Sequence, residues 1–486
     1  MLIEKDLPKK VFKVKKILEN NKLTLVSNRE PYEHEKSRGK LVCKRTLGGL
    51  VSALDPLMQV TNGLWVAWGS GNADWEVADS ENKVRVPPED PSYTLKRVWL
   101  SEEDINRYYH GFSNRVLWPV SHLFLENAIF DPKNWKKYNE VNEKFAEVIL
   151  EENYDLIWIH DYHLSLVPRF LREAEEDVKI AFFWHIPWPP YEVFRTIPWS
   201  GEILEGLLNS DLIGFHTQDY VKNFIECVEN ILGAFVDREN GLIKILDRRI
   251  CVKPFPLGID YKRYNEPSFS KEILRKVSKL RKDIGDKKII LSFQRLDYSK
   301  GVVNKLLAFE KFLENNPEFH GRVKLILVAS PSRTKIKEYR EMKREIDEII
   351  GRVNGKYQRI DWQPIKYFYR TIPQDQLISF YHTSDIALVT PVIDGMNLVS
   401  KEYIAANNGD GVLILSKFVG AADELKDAVL VNPYDIEEFA EAIKNALNMP
   451  LEERRRRIEA MREKVKEHDV YWWIRTFLED WRRIYG

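Results

Sequence analysis

Along this 486-residue chain, cations, carboxylates and histidines recur where short apolar runs stop. Ser27-Asn28-Arg29 ends the first such run, and His160-Asp161-Tyr162-His163 ends DLIWIH. His185 ends KIAFFWH and is followed by Ile-Pro-Trp-Pro-Pro, a rigid turn because each proline fixes its own φ. Arg295-Leu-Asp-Tyr-Ser-Lys300-Gly301 comes after KKIILSF and opens a helical pattern. A phosphate placed there would meet backbone N–H groups, a helix dipole and two fixed cations together. Pro331-Ser332-Arg333 repeats the run-then-cation arrangement, and Asp394-Gly395-Met396-Asn397-Leu398 precedes a helix carrying Lys401 and Glu402. Gly48-Gly49 opens another helix, where it either makes a tight turn or lets backbone approach a phosphate closely.

Each feature also has an ordinary reading. A single Arg at a strand end is more often an ion pair than a phosphate ligand. His160 and His163 with Asp161 could suggest a metal, but no further ligand set stands out and hydrogen bonding suits them better. His185 stands evenly between core and site, and Asp394 could be an N-cap. Four cations and several carboxylates at strand ends, taken together, favour chemistry on an anionic ligand. Absences narrow the field. No GxGxxG follows the first strand and no GxxxxGK[ST] occurs, so neither dinucleotide redox chemistry nor P-loop phosphate transfer is supported. HExxH and GxSxG are missing too. The residues by themselves reach an enzyme for an anionic ligand, held in a cleft between two α/β domains at the carboxyl ends of strands.

The elements that must position these groups are apolar runs alternating with longer amphipathic segments, the pattern of parallel sheets covered by helices. Strands are expected at Lys22–Ser27, Leu64–Trp68, Asp155–His160, Lys179–His185 and Asp211–His216. Helices are expected from near Gly48, over Asn134–Tyr154, around Leu164–Glu175 and over Gln218–Leu232. After a charged helix, Ser270–Ile284, a second series has strands at Lys287–Phe293, Val323–Ala329, Asp385–Thr390, Gly411–Ser416 and Val429–Val431. The fold class is therefore α/β, with two doubly wound Rossmann-like domains, 1–265 and 266–469. The last segment, Val470–Tyr485, carries Trp472, Trp473 and Trp481 and is expected to pack as core or back on the first domain.

Composition sets outer bounds. The chain has 74 Lys plus Arg against 74 Asp plus Glu, which argues against a dedicated nucleic-acid binder. The run Arg454–Arg457 reads as a solvated helix face. Cys43, Cys227 and Cys251 form no disulfide framework, no CxxC and no zinc spacing, which fits a reducing compartment. The first ten residues are charged where a signal peptide would be apolar, and no apolar stretch approaches the ~18–20 residues of a membrane span. A cytoplasmic protein without membrane or nucleic-acid partners is the expectation.

At these same residues the sequence resembles the trehalose-6-phosphate synthase family of retaining GT-B glycosyltransferases. The matching stretches are Val26–Glu30, Leu47-Gly-Gly-Leu50, Tyr108–Pro119, Trp158–Leu164, His185-Ile-Pro, Arg295–Gly301, Asp394–Tyr403 and Gly411–Ser416, in order from about residue 22 onward. The resemblance implies transfer of glucose from a nucleotide-glucose, usually UDP-glucose, to the anomeric oxygen of glucose 6-phosphate. By that analogy residues 1–265 bind the acceptor and 266–469 the nucleotide-sugar. Arg295 and Lys300 would grip the donor diphosphate. Glu402 would hold the ribose, with Leu398 and Val399 giving backbone contacts. Asp394 would bind the transferred glucose, assisted by Gly395, Met396 and Asn397. Ile372 would contact the uracil, and Gly48 and Gly49 would close over the donor. Arg29 and Arg333 would clamp the acceptor phosphate, Tyr109, Trp118 and Asp161 would orient its sugar, and His185 would lie at the reacting centre. The family's front-face account of retention calls for no covalent nucleophile, and no cofactor or metal is expected. A homo-oligomer enters by family analogy alone.

Some positions depart from the family pattern. Gln294 stands where a Glu is common, Ser400 replaces Ala, and Trp188 replaces Phe. The long loop Ser70–Ser92 is less typical, and Arg29-Glu-Pro-Tyr32 is similar to glucosylglycerol-phosphate synthases. A transferase acting on a polyol phosphate is thus the nearest alternative, and a non-catalytic sugar-phosphate sensor the next. Retention of Lys300 and Glu402 speaks against the sensor. The chain ends at Gly486, without length for the phosphatase domain fused to some relatives.

Overall fold

The computed structural model describes residues 14, 16–18, 21–46, 48–245, 247–334 and 336–485. The charged N-terminal decapeptide and Leu47 of the Leu47–Leu50 stretch lie outside the described residues. The chain divides into two compact units: one runs to Pro256 and includes Val470 onward, the other spans Leu257–Asp469.

The first unit holds a ten-stranded sheet. Its strands lie in the order Phe235–Asp237, Leu242–Ile245, Arg248–Pro254, Leu212–Phe215, Ile180–Phe183, Leu156–His160, Leu23–Arg29, Leu64–Trp68, Tyr93–Val98 and Lys83–Val86. The stretch from Arg248–Pro254 to Tyr93–Val98 is parallel, and both edges are finished by antiparallel strands. Central strands such as Ile180–Phe183 and Leu212–Phe215 are buried on both faces, which is why they read as continuous apolar runs rather than alternating ones. The helix Val470–Tyr485 supplies core here: the Trp158 ring stacks on Phe477 at 4.4 Å and on Trp473 at 5.3 Å.

The second unit holds six parallel strands in the order Ile365–Phe368, Val323–Ser330, Lys288–Arg295, Ile386–Val389, Val412–Ser416 and Val429–Val431. Counted along the chain this is 3-2-1-4-5-6, so the winding reverses between Lys288–Arg295 and Ile386–Val389. The parallel strands of the first unit reverse in the same way between Leu23–Arg29 and Leu156–His160. Helix limits follow local chemistry. Thr217 caps Gln218–Leu232 before left-handed Gly233 ends it, and Ser270 caps Lys271–Ile284.

Three expectations need correction. Ser70–Ser92 is not a long loop, since it contains the helix Asp74–Val77 and the edge strand Lys83–Val86, whose charged KVRV sequence carries little apolar signal. His185 does not end a strand. Ile180–Phe183 stops earlier, where the chain turns into the proline-rich exit. Arg454 is not solvated. It is 7% exposed and donates to the carbonyls of Leu447 and Met449, satisfying the end of the helix Ile436–Asn448.

Candidate active site

Ligands of doubly wound sheets bind outside the carboxyl ends of strands at the point of reversal. In the second unit that point gathers most of the residues expected to meet the donor. Arg295 is the exposed last residue of Lys288–Arg295. Asp297 then accepts from the Ser299 backbone at 3.0 Å, shaping the turn Tyr298–Lys300. Gly301 follows with φ 62°, and a Cβ there would come within 2.7 Å of the Thr390 carbonyl oxygen. Glycine is therefore required where the turn passes into the helix Val302–Asn315. Lys300 points its Nζ at Asp394 Oδ2, 2.7 Å away. Asp394 also accepts from the Gly395 backbone and the Asn397 amide, each at 3.0 Å. Asp394 is thus no N-cap. That position belongs to Asn397, in left-handed conformation, ahead of the helix Leu398–Ala406.

Glu402 lies on that helix, one oxygen accepting from the Tyr264 hydroxyl and the other from Tyr381, both at 2.9 Å. Burial raises its pKa despite these donors. Met396 is 3% exposed and Ile372 5% exposed, the latter just before Pro373, the N-cap of the helix Gln374–Thr383. Neighbouring Lys401 is structural: buried, it donates to Glu424 at 2.5 Å and to the Leu257 carbonyl at 2.8 Å. Arg333 belongs to this unit and sits with Asp297 Oδ2 at 3.3 Å and the Tyr339 hydroxyl at 2.6 Å. Asp297, fully buried, therefore links Arg333 to the turn that carries Lys300. The strand-end reading passed over Asp297 because a carboxylate inside RLDYSKG looks like part of a turn.

In the first unit the reversal point brings Arg29 and Asp161 to the ends of adjacent strands. Arg29 Nη2 donates to the Tyr109 hydroxyl at 3.1 Å, and the Tyr109 ring stacks on His163 at 5.7 Å. Tyr109 rides on Ile105–Leu117, a π-helix closed by the Trp118 N–H donating to Ser113 five residues back. Such wide helices are rare and concentrate at functional sites. It is held at the site because Tyr108 donates to Asn28 at 2.8 Å and Tyr162 to Asn114 at 3.2 Å. Trp118, 5% exposed, packs against His122 and Tyr162 rather than presenting an open face.

Asp161 has φ 75° and ψ 159°, a conformation nearly confined to glycine. Of seven non-glycine residues with positive φ among those described, three are candidate site residues, Asp161, Arg333 and Asn397. Strain of about 1–3 kcal/mol each persists only where surroundings enforce it. His185 Nε2 meets His160 Nδ1 at 3.0 Å, and His216 Nε2 meets the His185 carbonyl at 3.1 Å. Burial keeps both imidazoles neutral: His160 is pushed down to about 3, and His185 well below its usual range, with His160 and His216 adding to the effect. Gly48 is the extended N-cap of Gly49–Thr61, with nothing within 4 Å of where a Cβ would stand.

Sequence reasoning missed a buried cluster beside Arg29. Arg97, fully buried, donates to Glu30 Oε2 at 2.9 Å and lies 2.9 Å from Asp74 Oδ1. Burial raises Glu30 to about 8, and Asp74 beside it pushes the same way. One proton on the carboxylate pair balances the guanidinium. The motif Arg29-Glu30 hinted at it, but its partners come from residues 74 and 97.

Comparison with known proteins agrees with this layout. Residues 21–483 match the glycosyltransferase family 20 profile. The chain is 42% identical over 471 residues to a bifunctional trehalose-6-phosphate synthase/phosphatase of Thermoproteus tenax, covering 94% of this chain and 63% of that protein. The chain thus spans less than two thirds of that relative's length. A solved E. coli structure bound with UDP-2-fluoro glucose superposes with a TM-score of 0.86 at 34% identity, covering 95% of this chain and 98% of the other. A Burkholderia xenovorans alpha,alpha-trehalose-phosphate synthase (UDP-forming), solved in complex with glucose-6-phosphate, superposes at 0.85 with 32% identity, covering 95% and 100%. The architecture is accordingly of the GT-B class. With sequence and fold matching over nearly its whole length, this chain belongs to glycosyltransferase family 20.

Proposed function

We propose that the chain transfers glucose, with retention, from a nucleotide-glucose to the anomeric oxygen of glucose 6-phosphate, yielding trehalose 6-phosphate, with UDP-glucose as the donor. The observation that carries this reading is the set at the second unit's reversal point. Arg295 at a strand end, Lys300 on a turn held 2.7 Å from Asp394, and Glu402 on the following helix suit a diphosphate joined to a sugar. The relatives' bound UDP-2-fluoro glucose and glucose-6-phosphate support donor and acceptor classes alike.

In this reading Arg295 and Lys300 stabilise the charge that grows on the departing diphosphate. The open start of the helix Val302–Asn315 adds backbone N–H groups. Asp394, already turned toward Lys300, would exchange that contact for glucose hydroxyls. Glu402, with Leu398 and Val399 beside it, would accept from the ribose, and Ile372 would pack on the base. Open space at Gly48 supports approach of Gly48 and Gly49 to the donor. Arg29, steadied by Tyr109, would meet the acceptor phosphate with Arg333, and Asp161 would orient the acceptor sugar. Trp118, packed behind Tyr162, would act as support. Neutral His185 would donate a hydrogen bond without giving up a proton. The acceptor's proton passes to the leaving phosphate oxygen, so no carboxylate serves as nucleophile.

The test is nucleotide release from UDP-glucose with glucose 6-phosphate and glycerol 3-phosphate offered in parallel, the product identified by mass and NMR. An α,α-linked disaccharide phosphate is expected. Release with glycerol 3-phosphate alone would replace the acceptor, and binding of both substrates without release would replace catalysis with sensing.

A further inference from the structure

Lys305 lies in the second turn of the helix Val302–Asn315, directly after Arg295–Gly301, and is 2% exposed. A lysine this buried normally has a carboxylate partner. Here its Nζ donates to Gln294 Oε1 at 2.9 Å. Gln294 also accepts from Ser292 Oγ at 2.8 Å and donates to the Val328 carbonyl at 3.4 Å, so its amide is fixed and neutral. An amide oxygen accepts from an amine as well as from an ammonium, so this contact survives either state.

Two ionisable groups act on Lys305 electrostatically. Lys300 opposes its charge and Asp394 favours it, but Asp394 is engaged by Lys300 at 2.7 Å. Burial first, then Lys300, push the Lys305 ammonium down to about 7. We propose that Lys305 is a reserve cation of the donor half, taking up a proton when a diphosphate binds beside Arg295 and Lys300. Two arriving negative charges outweigh the repulsion from Lys300 and restore the ammonium. The inference rests on the donor reading above. Proton uptake is then positive between about pH 7 and 9, and affinity for the donor falls as pH rises through that window.

The experiment titrates UDP-glucose, whose diphosphate diester does not itself ionise near neutrality, into the full chain without acceptor. Calorimetry at pH 8 in buffers of high and low ionisation enthalpy gives the protons taken up. The wild type should take up most of a proton per site, about 0.8 at pH 8. Lys305→Met should bind with uptake near zero. Gln294→Glu, which supplies a carboxylate and leaves Lys305 in place, should also show uptake near zero, because the ammonium is present beforehand. Should Lys305→Met fail to fold, Gln294→Glu decides. Binding without uptake in the wild type, or unchanged uptake in either variant, overturns the inference alone. Absence of UDP-glucose binding overturns the donor reading and the inference with it.

Discussion

Replacing Arg97 with Met tests whether the buried charge cluster holds the acceptor half together. The guanidinium is fully buried and meets five groups: Glu30 Oε2, Asp74 Oδ1 and His34 Nδ1, each at 2.9 Å, and the carbonyls of Asp74 and Tyr32 at 3.0 and 3.2 Å. Met fills much of the same volume, so little of the cost is cavity. Glu30 can keep its proton, having been raised to about 8 by burial. Asp74 cannot readily follow, because the His34 and Gly71 backbones donate to its oxygens at 2.7 and 2.6 Å and hold it ionised. The variant therefore leaves one buried carboxylate without its cation and takes a donor from the Tyr32 carbonyl, while the Asp74 carbonyl keeps the Ala78 N–H at 3.2 Å. Breaking a buried pair costs about 3–5 kcal/mol, most of it the uncompensated charge. Adding Asp74→Asn should return more than half of that loss. Denaturant unfolding followed by tryptophan fluorescence reads the first unit, since every tryptophan but Trp362 lies in it. A loss under about 1 kcal/mol, or a double variant no more stable than Arg97→Met, would refute the electrostatic reasoning. The functional companion is a raised KM for glucose 6-phosphate, because Glu30 follows Arg29 directly.

Three further outcomes follow from particular contacts. Glu30 binds its proton more tightly in the folded state, so that stabilisation is complete below its ordinary value of 4.5 and is lost as pH rises through about 8. Glu30→Gln should flatten the wild-type decline in unfolding midpoint between about pH 4.5 and 8, and an identical decline would exclude Glu30 as its source. Glu402→Gln keeps one acceptor for Tyr264 or Tyr381 but removes the charge offered to the ribose. Donor KM should rise about 10–100-fold with acceptor KM unchanged, and an equal rise in both would contradict the assignment. Trp473→Ala empties a fully buried site against Trp158 and Phe183 and should cost the first unit about 3–5 kcal/mol, checked by the same fluorescence-monitored unfolding.

The sequence by itself determined the alternation of buried strands and helices, because parallel strands covered on both faces must be apolar along their whole length. It also located Arg29, Asp161, Arg295 and Asp394, since side chains that leave a buried strand at its carboxyl end announce themselves by a change of polarity. Residue spacing could not supply the order of strands within each sheet, and that order brings Lys300 and Asp394 together across 94 residues of chain. Nor could it show that the polar stretch Ile105–Leu117 winds into a wide helix that points Tyr109 at Arg29. The short strand Lys83–Val86 was hidden because an edge strand with partly exposed charges carries little apolar signal, and the Arg97 cluster was hidden for a different reason. A buried charge is tolerable only when groups distant in sequence compensate it, and only the folded chain brings those groups together.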